Sequence, residues 1–356
     1  MKSSGPEALW AVVLAGGVGS RFWPVSTPTR PKQLLALAGD QPLIRDAVER
    51  IAALVPATRT RILTGASLAA PLLAALPGLG RNHLLIEPQA KGTAPVLAWA
   101  AFEIARTDPD AIMISLHADH AIQPASAFLA LLADVAAVSF REQKLFTIGA
   151  VPDRPETGYG YIRPGVAITR EPATNAVDRF VEKPTRDVAE TYVREGYLWN
   201  TGIFVWPVRL LIEEMERHTP EIANCFPLLA AGRIGDYFER VPKLTIDVGL
   251  LERSDRVAVA RATFAWDDVG GWDAVGRMQP ADASGNVTVG ESHAIDSEDC
   301  ILWSDDGAVV VFGARGLLVV RSGGVTMVAP RERAADLKSL LAALPAHVAA
   351  LGGGNA

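Results

Sequence analysis

The sequence predicts an α/β protein with a mostly parallel sheet, helices on both faces of that sheet, and a small β domain at the C-terminal end. From residue 9 to about residue 150, short apolar runs alternate with stretches of helical periodicity, as expected of parallel strands joined by helices. From about Gly285 onward, short strands separated by Gly and Asp turns replace that alternation. We therefore place one domain at residues 1–280 and a second, small domain with a terminal helix at residues 281–356, where the strand spacing also fits a short β-helix.

The strands of the first domain are predicted from runs that are apolar throughout, because a strand covered on both faces has no polar side. These runs occupy residues 9–15, 60–64, 83–87, 111–116 and 144–150, and further strands are predicted at 177–182 and 202–206. Helical spacing predicts helices at residues 42–54, 66–75, 93–106, 125–137, 187–195 and 208–217. The clearest helix opens at Pro42, a residue that is favoured in the first turn.

The small domain is predicted from short β-rich segments and one amphipathic stretch. The strands fall at residues 287–289, 301–303, 309–312, 317–320 and 325–328, and the final helix at 332–344. We expect these strands to pack on the first domain or on a second subunit of a homodimer.

Composition excludes several classes of protein. With 49% hydrophobic and 21% charged residues, the chain is unlike a disordered protein. The 34 Lys+Arg and 40 Asp+Glu residues give a net charge of -6, so there is no global positive field to attract nucleic acid or an anionic membrane. The sequence lacks the about 18 consecutive apolar residues of a membrane span. Cys225 and Cys300 match neither a metal pair nor a disulfide framework, which favours the cytoplasm.

The strongest functional signal is a glycine-rich loop directly after the first predicted strand. It reads Leu14-Ala15-Gly16-Gly17-Val18-Gly19-Ser20-Arg21-Phe22-Trp23-Pro24 and is followed by Arg30-Pro31-Lys32-Gln33. The backbone N–H groups of such a loop can approach phosphate oxygens, and Arg21 and Lys32 add positive charge. The loop lacks the third glycine of the dinucleotide fingerprint and the GK[ST] ending of a P-loop. It predicts a nucleotide phosphate site, and a tight turn with two exposed cations is the alternative interpretation.

The loop and the motifs that follow it resemble the sugar-nucleotide pyrophosphorylases. The further matches occur in the order of the family: Glu87-Pro88, Lys91-Gly92-Thr93-Ala94-Pro95, Ala118-Asp119-His120, Glu156-Thr157-Gly158-Tyr159-Gly160-Tyr161-Ile162, Glu182-Lys183-Pro184, Leu198-Trp199-Asn200-Thr201-Gly202, Asp247 and Trp266-Asp267-Asp268-Val269-Gly270-Gly271-Trp272. Together they cover about residues 10–275. The resemblance implies a Rossmann-like sheet of the nucleotidyltransferase type and transfer of a nucleotidyl group to a sugar 1-phosphate with Mg²⁺ as cofactor.

The resemblance also implies a role for each group of site residues. The catalytic cations are Arg21, Lys32 and Lys183. The nucleotide is bound by Leu14, Ala15, Gly16, Gly17, Gly19, Ser20, Arg21, Glu87, Pro88, Thr93 and Ala94. The sugar is bound by Gly160, Glu182, Lys183 and Asn200, and the metal by Asp119 and Asp268. Asp267 is expected to face away from Asp268, because neighbouring side chains of an extended chain point to opposite sides.

The chemistry explains the absence of a Ser, Cys or His nucleophile from this set. A sugar 1-phosphate is already an anionic nucleophile, so its attack on the α-phosphorus of a nucleoside triphosphate requires alignment and charge neutralisation. The Phe22-Trp23-Pro24 and Leu198-Trp199-Asn200-Thr201-Gly202 segments are similar to those of family members that convert GTP and mannose 1-phosphate to GDP-mannose. A manno-heptose 1-phosphate with GTP, and glucose 1-phosphate with dTTP or UTP, are the alternative pairs.

Two interpretations outside this substrate question also stay open. A non-catalytic regulatory subunit could bind a nucleotide sugar, although it would not need Lys32 or the two metal carboxylates. The segment His117-Ala118-Asp119-His120 allows a transition-metal site, although zinc sites usually have three or four ligands.

His117 and Gly92 stand where the family usually has Pro and Asn. Some family members carry an isomerase domain after the transferase, and we expect transferase activity alone from this chain.

Overall fold

The computed structural model describes residues 8–17 and 19–352 and contains one large mixed sheet. The strands before residue 280 are β1 (Leu9–Leu14), β2 (Thr60–Gly65), β3 (Leu84–Glu87), β4 (Ile112–His117), β5 (Ala121–Gln123), β6 (Leu145–Ala150), β7 (Gly160–Thr169), β8 (Thr174–Glu182), β9 (Leu198–Pro207), β10 (Val257–Arg261) and β11 (Ala265–Asp267). The large sheet has the order β3-β2-β1-β4-β9-β6-β10-β8-β7, and β5 pairs with β11. Apart from β8 and β9, its strands all run in one direction, which confirms the predicted mostly parallel sheet.

Helices cover both faces of the sheet, as predicted. They are α1 (Leu43–Ala52), α2 (Ala69–Ala75), α3 (Thr93–Thr107), α4 (Ala125–Glu142), α5 (Arg186–Arg194), α6 (Val208–His218), α7 (Pro220–Ala223), α8 (Phe226–Ala230), α9 (Ile234–Arg240), α10 (Trp272–Met278), α11 (Leu337–Ala343) and α12 (Ala346–Ala349). In the part of the chain that the structure describes, no helix has both the length and the apolar character needed to cross a membrane.

Two apolar layers explain why the central strands are apolar throughout. Along β1, Trp10 and Val12 belong to the layer that contains α3 and α6, whereas Ala11 and Val13 belong to the layer that contains α1, α2 and α4. Successive side chains of a strand point to opposite faces. Because both faces are covered, most positions of such a strand are apolar, and the continuous runs predicted these strands correctly.

The C-terminal strands form a short β-helix. They are β12 (Val287–Val289), β13 (Ser292–Ile295), β14 (Ile301–Ser304), β15 (Val309–Phe312), β16 (Leu317–Ser322) and β17 (Val325–Pro330). β12, β14 and β16 pair in parallel, β13 pairs in parallel with β15, and β17 ends the stack by antiparallel pairing with β16. The predicted strands at 287–328 are confirmed, and the predicted terminal helix begins instead with a 3₁₀ turn, Arg331–Asp336, before α11.

Several elements were not predicted, and most of them are too short to show a period. β5, β11 and α7 have three or four residues each, which is less than one repeat of an amphipathic pattern. β10 is longer and buried at its first positions. Its sequence Val-Ala-Val-Ala-Arg has the same continuous apolar character as the predicted strands. This strand could therefore have been predicted from the sequence.

The β-helix packs on the first part of the chain through what we call the aromatic interface, formed by Phe22, Trp23, Trp272 and Trp303. The ring of Trp272 lies edge-on to Phe22 at 5.3 Å and to Trp303 at 5.5 Å between ring centroids. Trp272 Nε1 also donates a hydrogen bond to the Trp23 carbonyl oxygen at 3.4 Å. Because Phe22 and Trp23 belong to the glycine-rich segment, the β-helix supports that loop through Trp272.

We predict that Trp303→Ala lowers the free energy of unfolding by about 3 to 5 kcal/mol, because it removes a large buried side chain and leaves a cavity. Thermal and urea unfolding of the purified chain measure this loss. Phe312→Ala is the matched control, since Phe312 is an aromatic residue of the same β-helix but is 73% exposed. It should change stability by less than about 0.5 kcal/mol, and equal losses from both variants would contradict a stabilising aromatic interface.

Candidate active site

The phosphate and metal residues predicted from the sequence lie around one cavity of about 510 Å³. It is lined by Gly19, Arg21, Phe22, Lys32, His117, Asp119, His120, Asp268, Gly270 and Lys338. A second cavity of about 380 Å³ shares His117 and Asp119 with it, and a third of about 330 Å³ shares Arg21 and Asp268. The three cavities are therefore adjacent to one another, and they lie beyond the carboxyl ends of β1 and β4, where open α/β sheets bind their ligands.

The glycine-rich loop requires glycine at Gly19. The residue has a φ of 69°, and a Cβ atom there would lie 2.2 Å from Cβ of Lys32. Its carbonyl oxygen accepts hydrogen bonds from Ser26 Oγ at 2.6 Å and from the Phe22 amide at 3.1 Å. A side chain at this position would therefore force the loop away from Lys32. The side chain of Ser20, which was predicted to bind the nucleotide, lies outside the described part of the structure.

Lys32 joins the loop to both residues that were predicted to bind the metal. Its ammonium group is 3.0 Å from Asp119 Oδ2 and donates a hydrogen bond to the Asp268 backbone oxygen at 2.7 Å. The Lys32 side chain is only 9% exposed. Burial raises the pKa of Asp119, but the Lys32 ammonium group and the neighbouring His120 outweigh it, so the pKa of this carboxyl group lies below its usual value. Asp119 is therefore ionised at neutral pH.

Asp268 is oriented by Tyr159, a motif residue that was not among the predicted site residues. The Tyr159 hydroxyl donates a hydrogen bond to Asp268 Oδ1 at 2.6 Å. Burial raises the pKa of Asp268 despite this hydrogen bond and the nearby Lys32 charge. Burial and the Asp268 charge also raise the pKa of Tyr159, so its hydroxyl stays a neutral donor.

Asp267 faces away from the cavity, as predicted. Its Oδ1 accepts a hydrogen bond from the Val269 amide at 2.8 Å, and its Oδ2 pairs with Arg277 at 2.7 Å. The two adjacent carboxylates thus have different tasks: Asp267 closes a local turn, and Asp268 lines the site.

The 380 Å³ cavity contains part of the predicted nucleotide-binding set. Its lining comprises Leu14, Ala15, Gly16, Gly17, Gln33, Leu63, Glu87, Ala90, Gly92, Thr93, Val96, His117, Ala118, Asp119 and Lys243. Glu87 lies against the loop, since a Cβ atom on Gly16 would be 3.3 Å from Glu87 Oε1. Burial raises the pKa of Glu87. Lys243 and Gln33 were not predicted for this pocket.

Pro88 and Ala94 do not line this cavity. Pro88 is exposed, and Ala94 is buried in the core, where its amide donates to the Leu244 carbonyl oxygen at 3.1 Å. The same carbonyl explains Gly92, which has a φ of 87° and where a Cβ atom would lie only 2.5 Å from that oxygen. Glycine in place of the family's Asn is therefore required by this close approach.

The predicted sugar residues lie close together, and one of them, Lys183, lines the 330 Å³ cavity with Asp268. Lys183 pairs with Glu182, and a Cβ atom on Gly160 would lie 2.8 Å from Glu182 Oε2. Asn200 Nδ2 donates to Asp247 Oδ1 at 2.9 Å. Burial and the charge of Glu182 raise the pKa of Asp247 to about 6. The sequence placed Asp247 in a family motif without a role, and the structure brings it into this group.

His117 and His120 do not complete a transition-metal site. Their rings stack at 4.6 Å, and their donor atoms lie within 4.8 Å of each other and of Asp119. However, Trp266 Nε1 donates a hydrogen bond to His120 Nδ1 at 3.1 Å. This bond makes Nδ1 the acceptor, and we therefore assign the proton of the neutral His120 ring to Nε2. With one nitrogen protonated and the other accepting a hydrogen bond, the ring has no free lone pair for a metal. Two ligands remain in the cluster, fewer than a zinc site needs.

Asp119 and Asp268 instead offer oxygen ligands. Both residues line the 510 Å³ cavity, and Lys32 contacts the carboxylate of Asp119 and the backbone oxygen of Asp268. Carboxylate oxygens suit a hard divalent cation such as Mg²⁺. The donor set therefore fits a metal of this class.

Comparison with known proteins agrees with this geometry. Residues 10–285 match the family model described as nucleotidyl transferase, and residues 290–344 match a MannoseP isomerase/GMP-like beta-helix domain. The mannose-1-phosphate guanylyltransferase of Klebsiella pneumoniae is 35% identical over 343 residues, which are 93% of this chain and 72% of that protein. The alginate biosynthesis protein AlgA of Pseudomonas aeruginosa is 33% identical over 354 residues, 94% of this chain and 72% of that protein.

A solved structure supports the same relationship. It is described as a mannose-1-phosphate geranyltransferase from Thermus thermophilus and is 34% identical to this chain. The match covers 94% of this chain and 98% of that one, with a TM-score of 0.87. The chain therefore belongs to the nucleotidyl transferase family, among the mannose-1-phosphate guanylyltransferases.

Proposed function

We propose that this chain transfers GMP from GTP to α-D-mannose 1-phosphate and forms GDP-mannose and pyrophosphate. The observation that carries the proposal is the position of Asp119, Lys32 and Asp268, which lie together between the Glu87 pocket and the Lys183 side of the site. Two anionic substrates that enter from these two sides would meet beside the carboxylates. The names of the relatives from K. pneumoniae and P. aeruginosa are consistent with this activity.

Glu87 supports GTP as the nucleotide. Guanine presents two neighbouring donors, N1–H and the N2 amino group, and a carboxylate can accept a hydrogen bond from each with its two oxygens. Adenine lacks this pair of donors, and uracil and thymine present a single ring N–H. Glu87 lines the 380 Å³ cavity next to the glycine-rich loop, where the base of a bound nucleotide would lie.

The reaction follows from the charges around the cavity. An oxygen of the sugar phosphate forms a bond to the α-phosphorus, and the bond from that phosphorus to the oxygen bridging to the β-phosphate breaks. The bonding electrons leave with pyrophosphate. Arg21, Lys32 and the loop amides would hold the triphosphate, and Lys183 would hold the sugar phosphate. Their fixed positive charge offsets the repulsion between the two anions and stabilises the transition state.

Asp119 and Asp268 would hold Mg²⁺ during this reaction. The bound ion would supply positive charge to the α-phosphate and the sugar phosphate. The sugar hydroxyls would form hydrogen bonds with Glu182, Asn200 and Asp247. The two carboxylates would accept these bonds, and the amide could accept or donate them. We place the reaction in the cytoplasm, because Cys225 and Cys300 are both free thiols.

Pyrophosphate release tests the function. GTP, ATP, UTP and dTTP are each combined with mannose, glucose and a manno-heptose 1-phosphate, with and without Mg²⁺. We expect a Mg²⁺-dependent signal with GTP and mannose 1-phosphate. A dominant signal with another pair would keep the reaction class and refute the substrates. Binding of nucleotide sugar without any release would support the regulatory-subunit alternative.

We predict that Glu87→Gln reduces the preference for GTP over inosine triphosphate, which lacks the N2 amino group. The wild type should prefer GTP by about 10-fold or more in kcat/KM, since a hydrogen bond to a charged group contributes about 1.5 to 3 kcal/mol. The variant should lose most of this preference. Glu103→Gln, which alters a carboxylate paired with Arg106 on the helix surface, should retain it. An unchanged preference in Glu87→Gln would remove Glu87 from base recognition.

We predict that Asp119→Asn combined with Asp268→Asn abolishes Mg²⁺-dependent turnover, because both carboxylate ligands are neutralised. Asp267→Asn is the matched control: it changes the adjacent carboxylate, which pairs with Arg277 and lines none of the three cavities, and it should keep turnover within about tenfold of the wild type. Initial rates over a Mg²⁺ titration measure both effects. Normal metal-dependent rates in the double variant would place the metal elsewhere.

We predict a pH-dependent contribution of Asp247 to sugar binding. With a pKa of about 6, Asp247 is mostly ionised at pH 7.5, accepts hydrogen bonds there, and becomes protonated as the pH falls through 6. Asp247→Asn should raise KM for mannose 1-phosphate about tenfold at pH 7.5. The ratio of the KM of the variant to the KM of the wild type should approach one at pH 5. The ratio cancels the titration of the sugar phosphate itself. A ratio that does not change with pH would contradict this role.

A further inference from the structure

The catalytic cavity contains a lysine that belongs to the C-terminal segment and has no place in the roles assigned above. Lys338, the second residue of α11, lines the 510 Å³ cavity together with Arg21, Lys32, Asp119 and Asp268. It follows the β-helix in the chain and lies outside the motifs from which the site was predicted. Its side chain is exposed to the solvent of the cavity.

The position of Lys338 is set by the packing of its neighbours. Leu337, the preceding residue, is buried in the apolar cluster that contains Phe22 and Trp23, and Ala334 is buried in the same cluster. Further along the chain, the Leu351 carbonyl oxygen accepts a hydrogen bond from Trp23 Nε1 at 3.1 Å. The C-terminal segment is thus anchored to the glycine-rich segment on both sides of Lys338.

The charges around the cavity distinguish Lys338 from Lys32. Lys32 is already engaged by the Asp119 carboxylate and by the Asp268 backbone oxygen. The side chains of Lys338 and Arg21 form no ion pair or hydrogen bond with other residues in the described ranges 8–17 and 19–352. A cation that is not engaged in this way, beside a loop suited to phosphate, can neutralise a bound anion without first breaking an existing ion pair.

The neighbours of Lys338 indicate which phosphate it would bind. It shares its cavity with Gly19 and Arg21 of the glycine-rich segment. It does not line the cavity that holds Lys183 and Tyr159, nor the cavity that holds Glu87. It therefore lies apart from both the sugar side and the base side, at the place left for the outer phosphates of a triphosphate.

We propose that Lys338 binds the β- and γ-phosphates of the nucleotide and the pyrophosphate that leaves, so that the segment after the β-helix completes the active site. The proposal rests on the proposed function in one respect: it assigns Lys338 to the leaving group of that reaction. The β-helix domain then has two effects on the site, since it supports the loop through the aromatic interface and positions a phosphate-binding cation.

Calorimetry of the full-length chain in Mg²⁺ buffer tests this assignment with pyrophosphate and GDP-mannose as probes. Pyrophosphate corresponds to the two phosphates that Lys338 is proposed to bind. GDP-mannose has only the α-phosphate and the sugar phosphate, so it should not depend on Lys338. Lys338→Ala should weaken pyrophosphate binding and raise KM for GTP, each about tenfold. GDP-mannose affinity and KM for mannose 1-phosphate should stay within about twofold of the wild type. Lys338→Arg should restore most of the pyrophosphate affinity.

Arg333→Ala is the control for a change of charge in the same segment, because Arg333 pairs with Asp336 and does not line the cavity. It should leave pyrophosphate binding unchanged. Pyrophosphate affinity within about twofold of the wild type in Lys338→Ala would overturn the proposal. Equal weakening of pyrophosphate and GDP-mannose would also overturn it, since this result would show a general disturbance of the loop.

The same experiment separates this proposal from the proposed function. If the wild type forms no GDP-mannose but binds pyrophosphate in a Lys338-dependent way, the substrate assignment fails and the phosphate site stands. If the wild type forms GDP-mannose and Lys338→Ala binds pyrophosphate normally, the function stands and the role of Lys338 is refuted.

Discussion

The buried ammonium group of Lys32 is the contact on which the arrangement of the site depends. It joins the segment after the glycine-rich loop to Asp119 at the end of β4 and to Asp268 after β11. An unpaired charge at this depth would be strongly destabilising, so the lysine can be buried only when its partners are in place. Gly19 permits this arrangement, because any side chain there would collide with Lys32. Loop, lysine and carboxylates therefore form one unit.

The β-helix stabilises this unit from outside. Trp272 follows Asp268 closely in the chain and contacts both Phe22 of the loop segment and Trp303 of the β-helix. Packing in protein interiors transmits small displacements, so a change in this interface would shift the loop and Asp268 together. The C-terminal domain is thus part of the architecture of the site, and Lys338 extends it into the cavity itself.

The fold and part of the site were predictable from local pattern. Continuous apolar runs identified the central strands, because each is covered on both faces. The glycines and cations at 14–24 predict a phosphate site after the first of these strands. Asp267 and Asp268 were assigned opposite directions from strand geometry alone, and their contacts agree. Short elements such as β5 and β11 were missed, because three residues cannot display a period.

The sequence by itself therefore determined the fold class, the position of the glycine-rich loop and the types of residue available for chemistry, since these depend on periodicity and on neighbouring residues. Only the tertiary structure decided which distant groups meet. Lys32 and Asp268 are 236 positions apart, and Tyr159 and Asp268 are 109 apart. The recruitment of Asp247 to the sugar side and of Lys338 to the cavity likewise depends on how separate elements pack. Such contacts are set by the shapes of buried side chains across the whole core, and no local pattern encodes them.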